Sequence, residues 1–213
     1  MDLTLPERLY LISYDLDKRR FDAVSGPYRS HLLRAAALAE LTIRGLLGAA
    51  GNGRAARAGG PEPRDPFLAR VLADVPPHKP RDWTGILLRE FGEAEDTVRD
   101  RLVEAGAITV ERRRVLGVIP TSEVTPAHPD QVRRLREQVR HTVTGGHDPA
   151  SAPIEAAALA AIALEGDVES VFTWRERRSH KRAVKALNAR FDVNFPGLRE
   201  AVLIAVANAR SPA

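Results

Sequence analysis

The chain has 213 residues, of which 44% are hydrophobic, and it carries a formal net charge of +4 at pH 7. This composition predicts a single folded domain spanning residues 1–213 and excludes an intrinsically disordered chain. The absence of cysteine excludes disulfides, thiolate nucleophiles and cysteine-based zinc sites.

No apolar run in the sequence reaches the roughly 18 to 20 residues that a membrane-spanning helix needs. The first residues, with Asp2, Glu7 and Arg8, lack the charged-then-apolar pattern of a signal peptide. We therefore expect a cytoplasmic protein. Lysine occurs only at positions 18, 79, 181 and 185, and the strong bias toward arginine and alanine indicates a GC-rich bacterial genome.

The N-terminal segment predicts two helices. Thr4 and Glu7 have the three-residue spacing of a capping box, and apolar residues follow them. A second helix, from about Ser30 to Ile43, is apolar around most of its circumference and is expected at the centre of the fold. Gly45 follows it in the position of a left-handed C-terminal cap.

The next segment, residues 48–65, is rich in glycine and proline and predicts a surface loop. A phosphate-cradling loop is the alternative, but the segment lacks the Gly-Lys-Ser/Thr ending of such loops. Two short amphipathic helices are expected at residues 66–75 and 81–91, with Trp83 in the core.

A helix at residues 95–105 is predicted to lead into a β-hairpin. Its strands are residues 108–110 and 115–119, and its tip, Glu111 to Arg114, is strongly basic. A helix followed by a basic hairpin is also typical of winged-helix DNA-binding proteins. The helix and its approach carry five acidic residues against two arginines and would repel a polyanion, so we expect no nucleic-acid partner.

In the C-terminal half, residues 131–143 predict a surface helix, and residues 154–164 and 198–209 predict interior helices. A further helix, from about Glu176 to Arg190, places Arg177, Lys181 and Lys185 at four-residue intervals on one flank. This spacing predicts a cationic ridge.

Motifs that carry chemistry are lacking from the sequence. The six histidines do not show the three- or four-residue spacing of a helical metal site, and there is no Gly-x-Ser-x-Gly motif. We therefore expect a protein that is not an enzyme and that has neither a metal nor a cofactor.

Six segments of the chain form a recognisable series: Leu3 to Asp15, Leu33 to Leu47, Arg81 to Trp83, Leu102 to Gly106, Leu159 to Phe172 and Phe191 to Ala209. Taken in this order, they resemble the Golgi phosphoprotein 3 family. The resemblance implies a mainly α fold, a helical bundle core wrapped by amphipathic helices, with one protruding β-hairpin.

The resemblance also implies a function. Eukaryotic members are peripheral Golgi proteins that bind phosphatidylinositol 4-phosphate and retain glycosyltransferases by their cytosolic tails. Their headgroup site uses a tryptophan, an arginine at the start of the central helix and an arginine pair. Arg34 matches the single arginine, whereas the tryptophan position falls near Val24 or Ser25 and the pair near Gly92 and Glu95.

The sequence therefore predicts a peripheral domain that binds anionic lipid at the inner face of the membrane, and that could also serve as an adaptor for protein tails. Arg34 is the predicted headgroup contact. A soluble scaffold or homo-oligomer that uses the hairpin is the alternative. The cations predicted to support membrane contact electrostatically are Arg112, Arg113, Arg114, Arg177, Lys181 and Lys185.

Overall fold

The computed structural model describes residues 3–89, 93–115 and 119–211, and within residues 112–122 it describes backbone alone. These residues form ten α-helices and seven short strands, which confirms the prediction of a mainly α fold with a small β-hairpin. The helices are α1 Leu5–Ile12, α2 Arg29–Ile43, α3 Pro66–Ala73, α4 Trp83–Leu87, α5 Glu93–Glu104, α6 Pro129–Thr144, α7 Ile154–Glu165, α8 Trp174–Ser179, α9 Lys181–Asn194 and α10 Leu198–Arg210. The strands are β1 Tyr14–Asp15, β2 Arg20–Phe21, β3 Leu47–Ala49, β4 Arg54–Arg57, β5 Arg81–Asp82, β6 Ile108–Val115 and β7 Ile119–Pro126.

Helix α1 begins with the predicted capping box. The Thr4 hydroxyl accepts a hydrogen bond from the Glu7 amide, and the Glu7 carboxylate accepts one from the Thr4 amide at 2.8 Å. Two free amides of the first turn are thereby satisfied. Seven of the eight residues of α1 are buried, so this short helix is held by packing as much as by its cap.

Helix α2 is the centre of the fold and packs against α1, α3, α5, α7 and α10. Its alanine-rich sequence lets several neighbouring helices approach closely, and Leu33 and Leu38 are fully buried. The buried carboxylate of Glu40 accepts a hydrogen bond from the Leu5 amide at 2.6 Å and pairs with Arg44. Desolvation by burial raises the pKa of Glu40. This carboxylate joins the middle helix to the start of α1.

The predicted loop at residues 48–65 and the predicted helix at residues 81–91 are only partly correct. Strands β3, β4 and β5 form an antiparallel three-stranded sheet that uses residues from both segments. The turn between β3 and β4 contains Gly51, Asn52 and Gly53, all with positive φ, so the glycines that suggested a loop instead permit a tight turn. Helix α4 is consequently short, beginning at Trp83, which is buried as predicted.

The hairpin is longer than predicted. Strands β6 and β7 pair antiparallel over eight residues each, from Ile108 opposite Pro126 to Val115 opposite Ile119. Arg112, Arg113 and Arg114 therefore lie within β6 rather than at the tip. Ile108 and Val124 are buried in the core, so the base of the hairpin is anchored to the helical body.

The C-terminal helices differ in burial. Helix α7 is buried along eight consecutive residues, Ala157 to Leu164, as predicted for an interior helix. Helix α10 was also expected in the interior, but Leu203 and Ile204 are 41% and 40% exposed. It packs on α2, α4 and α7 through one face, and its other face lies at the surface.

The predicted helix from Glu176 to Arg190 is divided into α8 and α9 at His180. The backbone of His180 has a φ of −106° and a ψ of 30°, outside the α-helical range, so the regular helix ends there. The Glu176 carbonyl oxygen accepts the His180 backbone N–H at 3.0 Å, and the Ser179 hydroxyl and the His180 ring nitrogen lie 3.0 Å from the same oxygen. Among the residues that the structure describes, no helix is both long and apolar enough to cross a membrane.

Candidate functional site

The predicted headgroup residue, Arg34, is buried in the core. Its side chain is 1% exposed, and its Nε and Nη2 atoms donate hydrogen bonds to the Ile86 carbonyl at 3.0 and 2.8 Å. Nη2 also pairs with the Asp74 carboxylate, whose side chain is 10% exposed. Every one of these partners belongs to the protein itself, so the guanidinium has no face open to a lipid in this conformation. Direct contact with a headgroup stays a prediction for Arg34, and burial argues against it.

Three further arginines lie around the Asp74 carboxylate and the end of α3. Arg89 has its Nη1 atom 3.3 Å from the Asp74 carboxylate, and Arg81 donates to the Asp74 backbone carbonyl at 3.3 Å. Arg57 donates to two backbone carbonyls at the end of α3, at 2.7 and 2.9 Å. The last carbonyls of a helix carry partial negative charge, so these cations stabilise the C-terminus of α3. We call Arg34, Arg57, Arg81, Arg89 and Asp74 the Asp74 cluster.

The predicted cations of the hairpin are placed by their backbone alone. Arg112, Arg113 and Arg114 lie opposite Ser122, Thr121 and Pro120 in the β6–β7 ladder. Their side chains fall outside the described part of the structure, so their contribution to an anionic contact stays a prediction.

Arg177, Lys181 and Lys185, which form the predicted ridge, lie together at the surface of the protein. These three residues line a groove of about 480 Å³ despite the helix break at His180. We call this the α9 groove; its remaining lining residues are Val184, Asn188, Ala189, Asp192 and Arg199. The four-residue spacing thus identified one continuous surface correctly.

Two of the four cations that line the α9 groove, Arg177 and Arg199, bind carboxylates or carbonyls of the protein itself. Arg177 donates to the Leu164 carbonyl at 2.7 Å and pairs with Asp167, and desolvation by burial lowers the pKa of Arg177. Arg199 holds the Asp192 carboxylate by two hydrogen bonds of 2.8 Å, which raise the pKa of Arg199. Both arginines therefore tie neighbouring elements together.

Lys181 and Lys185 differ from these arginines. Both are exposed, and no carboxylate of the described residues lies within ion-pair distance of either. Their positive charges face solvent at the rim of the α9 groove. An ammonium on a flexible stem is a suitable group for attracting an anion without strict geometry.

The sequence analysis missed Arg199 and most of the Asp74 cluster. Arg199 and Lys185 are brought together only by the turn between α9 and α10. Asp74 and Arg34 are forty residues apart in the chain. Neither pair has a local spacing signal, so only the tertiary structure could reveal them.

A second cavity, of about 720 Å³, lies between α6 and α7. Its rim mixes cations and carboxylates, including Arg134, Glu137 and Glu155, and the rings of His141 and His147 lie 5.5 Å apart on it. This balanced rim favours neither anions nor cations. In the portion of the chain that is described, no group of three or more histidine or acidic side chains is placed to hold a metal ion.

Comparison with known protein families matches residues 5–207 to Golgi phosphoprotein 3 (GPP34). The match covers nearly the whole chain, from the first helix to the last. A search of curated proteins found no match.

Proposed function

Because this chain belongs to the Golgi phosphoprotein 3 family, we propose that it is a non-enzymatic domain that binds anionic lipid at a membrane surface. The observation that carries the proposal is the pair of exposed lysines in the α9 groove. Phosphoinositide headgroups, including phosphatidylinositol 4-phosphate, belong to the class of ligand that this groove would attract. The proposal places the protein in the cytoplasm, peripherally at the inner face of the membrane.

The charges of the α9 groove support attraction to anions. Arg177 and Arg199 have carboxylate partners, so their charges are largely compensated within the protein. Lys181 and Lys185 add two positive charges that the described residues do not compensate. A basic residue close to an anionic membrane contributes about 1 kcal/mol to binding. The two lysines would therefore contribute roughly 2 kcal/mol if both lie near the bilayer.

The Asp74 cluster supports low selectivity among headgroups. A phosphate that approached Arg34 would meet the Asp74 carboxylate, which already occupies the guanidinium, and like charges repel. Binding through Arg34 would require Asp74 to be displaced from a buried ion pair. We therefore propose that negative surface charge, more than headgroup identity, governs binding to the α9 groove.

Acidic tails of other proteins are a further class of partner under this proposal, since they present the same charge to the same lysines. A protein tail and an anionic vesicle would then compete for the α9 groove. This competition would give the domain an adaptor role.

A second candidate function is self-association through the hairpin. In the described residues β6 and β7 pair only with each other, so the outer edge of each strand has no strand neighbour. Unpaired strand edges are templates for pairing with another chain. Light scattering after size exclusion, on the full chain and on a variant with a shortened hairpin, tests this candidate. A wild-type oligomer that becomes monomeric in the variant would support it.

Vesicle co-sedimentation tests the lipid proposal. The full chain is mixed with phosphatidylcholine vesicles, with vesicles that also contain phosphatidylserine, and with vesicles of equal charge that contain phosphatidylinositol 4-phosphate. We expect binding to both acidic vesicles, similar affinity for the two, and loss of binding as salt is raised. No binding to acidic vesicles at low salt would refute the proposal, and strong preference for the phosphoinositide would refute its low selectivity.

A further inference from the structure

Two large apolar side chains are exposed at the two ends of the α8–α9 segment. Trp174, the first residue of α8, is 64% exposed, and Val193, near the end of α9, is 79% exposed. The other exposed large hydrophobic side chains of the described residues are only about 40% exposed. The chain has one other tryptophan, Trp83, which is 1% exposed and donates its indole N–H to the Pro196 carbonyl at 3.0 Å.

Helix α8 presents Trp174 without using it in the core. None of the six residues of α8 is buried. The helix is nevertheless fixed at its start, because Thr173 and Glu176 form a complete capping box and the Glu176 carboxylate pairs with Arg140 of α6. Trp174 is therefore held at the surface on an ordered turn.

Cations separate the two apolar ends. The guanidinium carbon of Arg178 lies 5.3 Å from the centre of the Trp174 ring, within cation–π distance. The two acidic residues of this stretch are both engaged by other groups, Glu176 by Thr173 and Arg140 and Asp192 by Arg199. We call residues 174–193 the basic arm; its exposed cations between the two apolar ends are Arg175, Arg178, Lys181, Arg182 and Lys185.

This arrangement fits the surface of an anionic bilayer. Tryptophan concentrates at membrane interfaces, where its apolar ring is buried at headgroup level and its N–H stays hydrated. Basic residues beside it gain from the negative potential of the same surface. Most of the Trp174 ring surface faces water in the free protein, and a bilayer that covered the ring would remove this apolar surface from water.

We infer that the basic arm lies along an anionic lipid bilayer with Trp174 inserted at the boundary between headgroups and acyl chains. This inference rests on the proposed lipid binding and adds to it a point of insertion. Lys181 and Lys185 would draw the protein to the membrane, and Trp174 would enter it. Val193 would contact the same surface at the far end of α9.

Tryptophan fluorescence of the full chain tests the inference. The probes are vesicles of phosphatidylcholine with phosphatidylglycerol, with and without bromine on the phosphatidylcholine acyl chains. We expect emission to shift to shorter wavelength on acidic vesicles and to be quenched by brominated lipid. Trp83 serves as an internal reference, because it is already buried and should contribute no change.

Substitution of Trp174 separates insertion from electrostatic attraction. We expect Trp174→Ala to weaken binding to acidic vesicles by about tenfold and Trp174→Phe to retain most of it. The matched control is Leu203→Ala, which removes an exposed apolar side chain from α10 and should leave binding unchanged. Unfolding curves of the three variants should show that each is fully folded under the conditions of the binding assay, since both side chains are partly exposed and lie outside the core.

The outcomes distinguish this inference from the proposed function. Binding to acidic vesicles with unchanged emission, and with Trp174→Ala binding as tightly as wild type, would overturn the insertion of Trp174 while leaving lipid binding intact. No binding at all would overturn both. A blue shift that depends on protein concentration without vesicles would also overturn the inference, because it would show a second copy covering Trp174.

Discussion

The Asp74 cluster and the α9 groove both collect positive charge, but different groups surround their cations. In the Asp74 cluster, the buried Arg34 is held by a buried carboxylate and a backbone carbonyl, and the other arginines contact the same carboxylate or backbone carbonyls. In the α9 groove, Lys181 and Lys185 are exposed and have no carboxylate partner among the residues described. The comparison teaches that the number of basic residues in a region does not show whether it can receive an anion. Whether the region can bind an anion depends on how many of these positive charges are already paired with groups of the protein itself.

The two regions also differ in which residue carries the charge. The Asp74 cluster uses arginine, whose planar guanidinium can bind a carboxylate and a carbonyl together. The free charges of the α9 groove are two of the four lysines in the chain. In a protein whose basic residues are mostly arginine, the two exposed cations of this groove without a carboxylate partner among the described residues are both lysines.

The largest expected effect comes from removing the carboxylate of the Asp74 cluster. Asp74→Ala leaves the Arg34 guanidinium buried without its charge partner, so we expect the free energy of unfolding to fall by about 3–5 kcal/mol. Urea denaturation measures this loss. The control, Asp100→Ala, removes an exposed carboxylate of α5 that pairs with Arg99 and should change stability by less than about 0.5 kcal/mol. Equal losses in the free energy of unfolding from the two substitutions would show that the ion pair of Asp74 with Arg34 does not stabilise the fold.

The next largest effect is on binding, not stability. Lys181→Gln combined with Lys185→Gln should weaken binding to acidic vesicles by roughly 2 kcal/mol, about thirtyfold, and leave unfolding unchanged. The control replaces the other two lysines, Lys18 and Lys79, and changes the net charge equally. Similar losses in both double variants would mean that net charge, and not the α9 groove, attracts the membrane.

The two capping boxes give a smaller and more selective comparison. Thr4→Ala removes the cap of the buried helix α1 and should lower the free energy of unfolding by about 1 kcal/mol. Thr173→Ala removes the same cap from α8, which buries no residue, so it should lower global stability by less than half as much. Hydrogen exchange should instead show local fraying of α8. A global loss from Thr173→Ala equal to that from Thr4→Ala would contradict the view of α8 as a presented surface helix.

The smallest expected effect is a dependence of stability on pH, caused by the buried residue His31. The Nδ1–H of His31 donates to the Leu87 carbonyl at 3.0 Å, and desolvation by burial lowers the pKa of His31. Below about pH 6.5 the unfolded chain therefore binds a proton that the folded chain resists, and stability falls as pH falls, by about 1 kcal/mol or less over the first pH unit. His31→Gln should flatten this slope in denaturation curves, and His147→Gln, at an exposed position, should not. A slope unchanged by His31→Gln would show that another group causes it.

Local signals in the sequence predicted the buried half of the fold well. The spacing of Thr4 and Glu7 identified the start of α1, and the nearly continuous apolar run of α2 identified the central helix. Gly45 has the positive φ expected of a left-handed cap. These features depend on residues a few positions apart, which is why composition and periodicity were enough.

The site was harder to predict because its chemistry depends on distant residues. Arg34 was expected to contact a headgroup, yet its environment is set by Asp74 and Ile86, neither of which is near it in sequence. The ridge of Arg177, Lys181 and Lys185 was found from helical spacing, but the spacing could not show that Asp167 already pairs with Arg177. The exposure of Trp174 also had no sequence signal, since an aromatic residue beside a helix usually enters the core.

Lysine acetylation with and without vesicles tests the central claim most directly, because the chain contains only four lysines and they lie in different parts of the fold. The full chain is treated with an amine-acetylating reagent, free or bound to acidic vesicles, and each lysine is quantified by mass spectrometry. If the α9 groove contacts the membrane, vesicles protect Lys181 and Lys185 from acetylation and leave the reactivity of Lys18 and Lys79 unchanged. Protection of Lys18 and Lys79 with Lys181 and Lys185 still reactive would contradict this prediction.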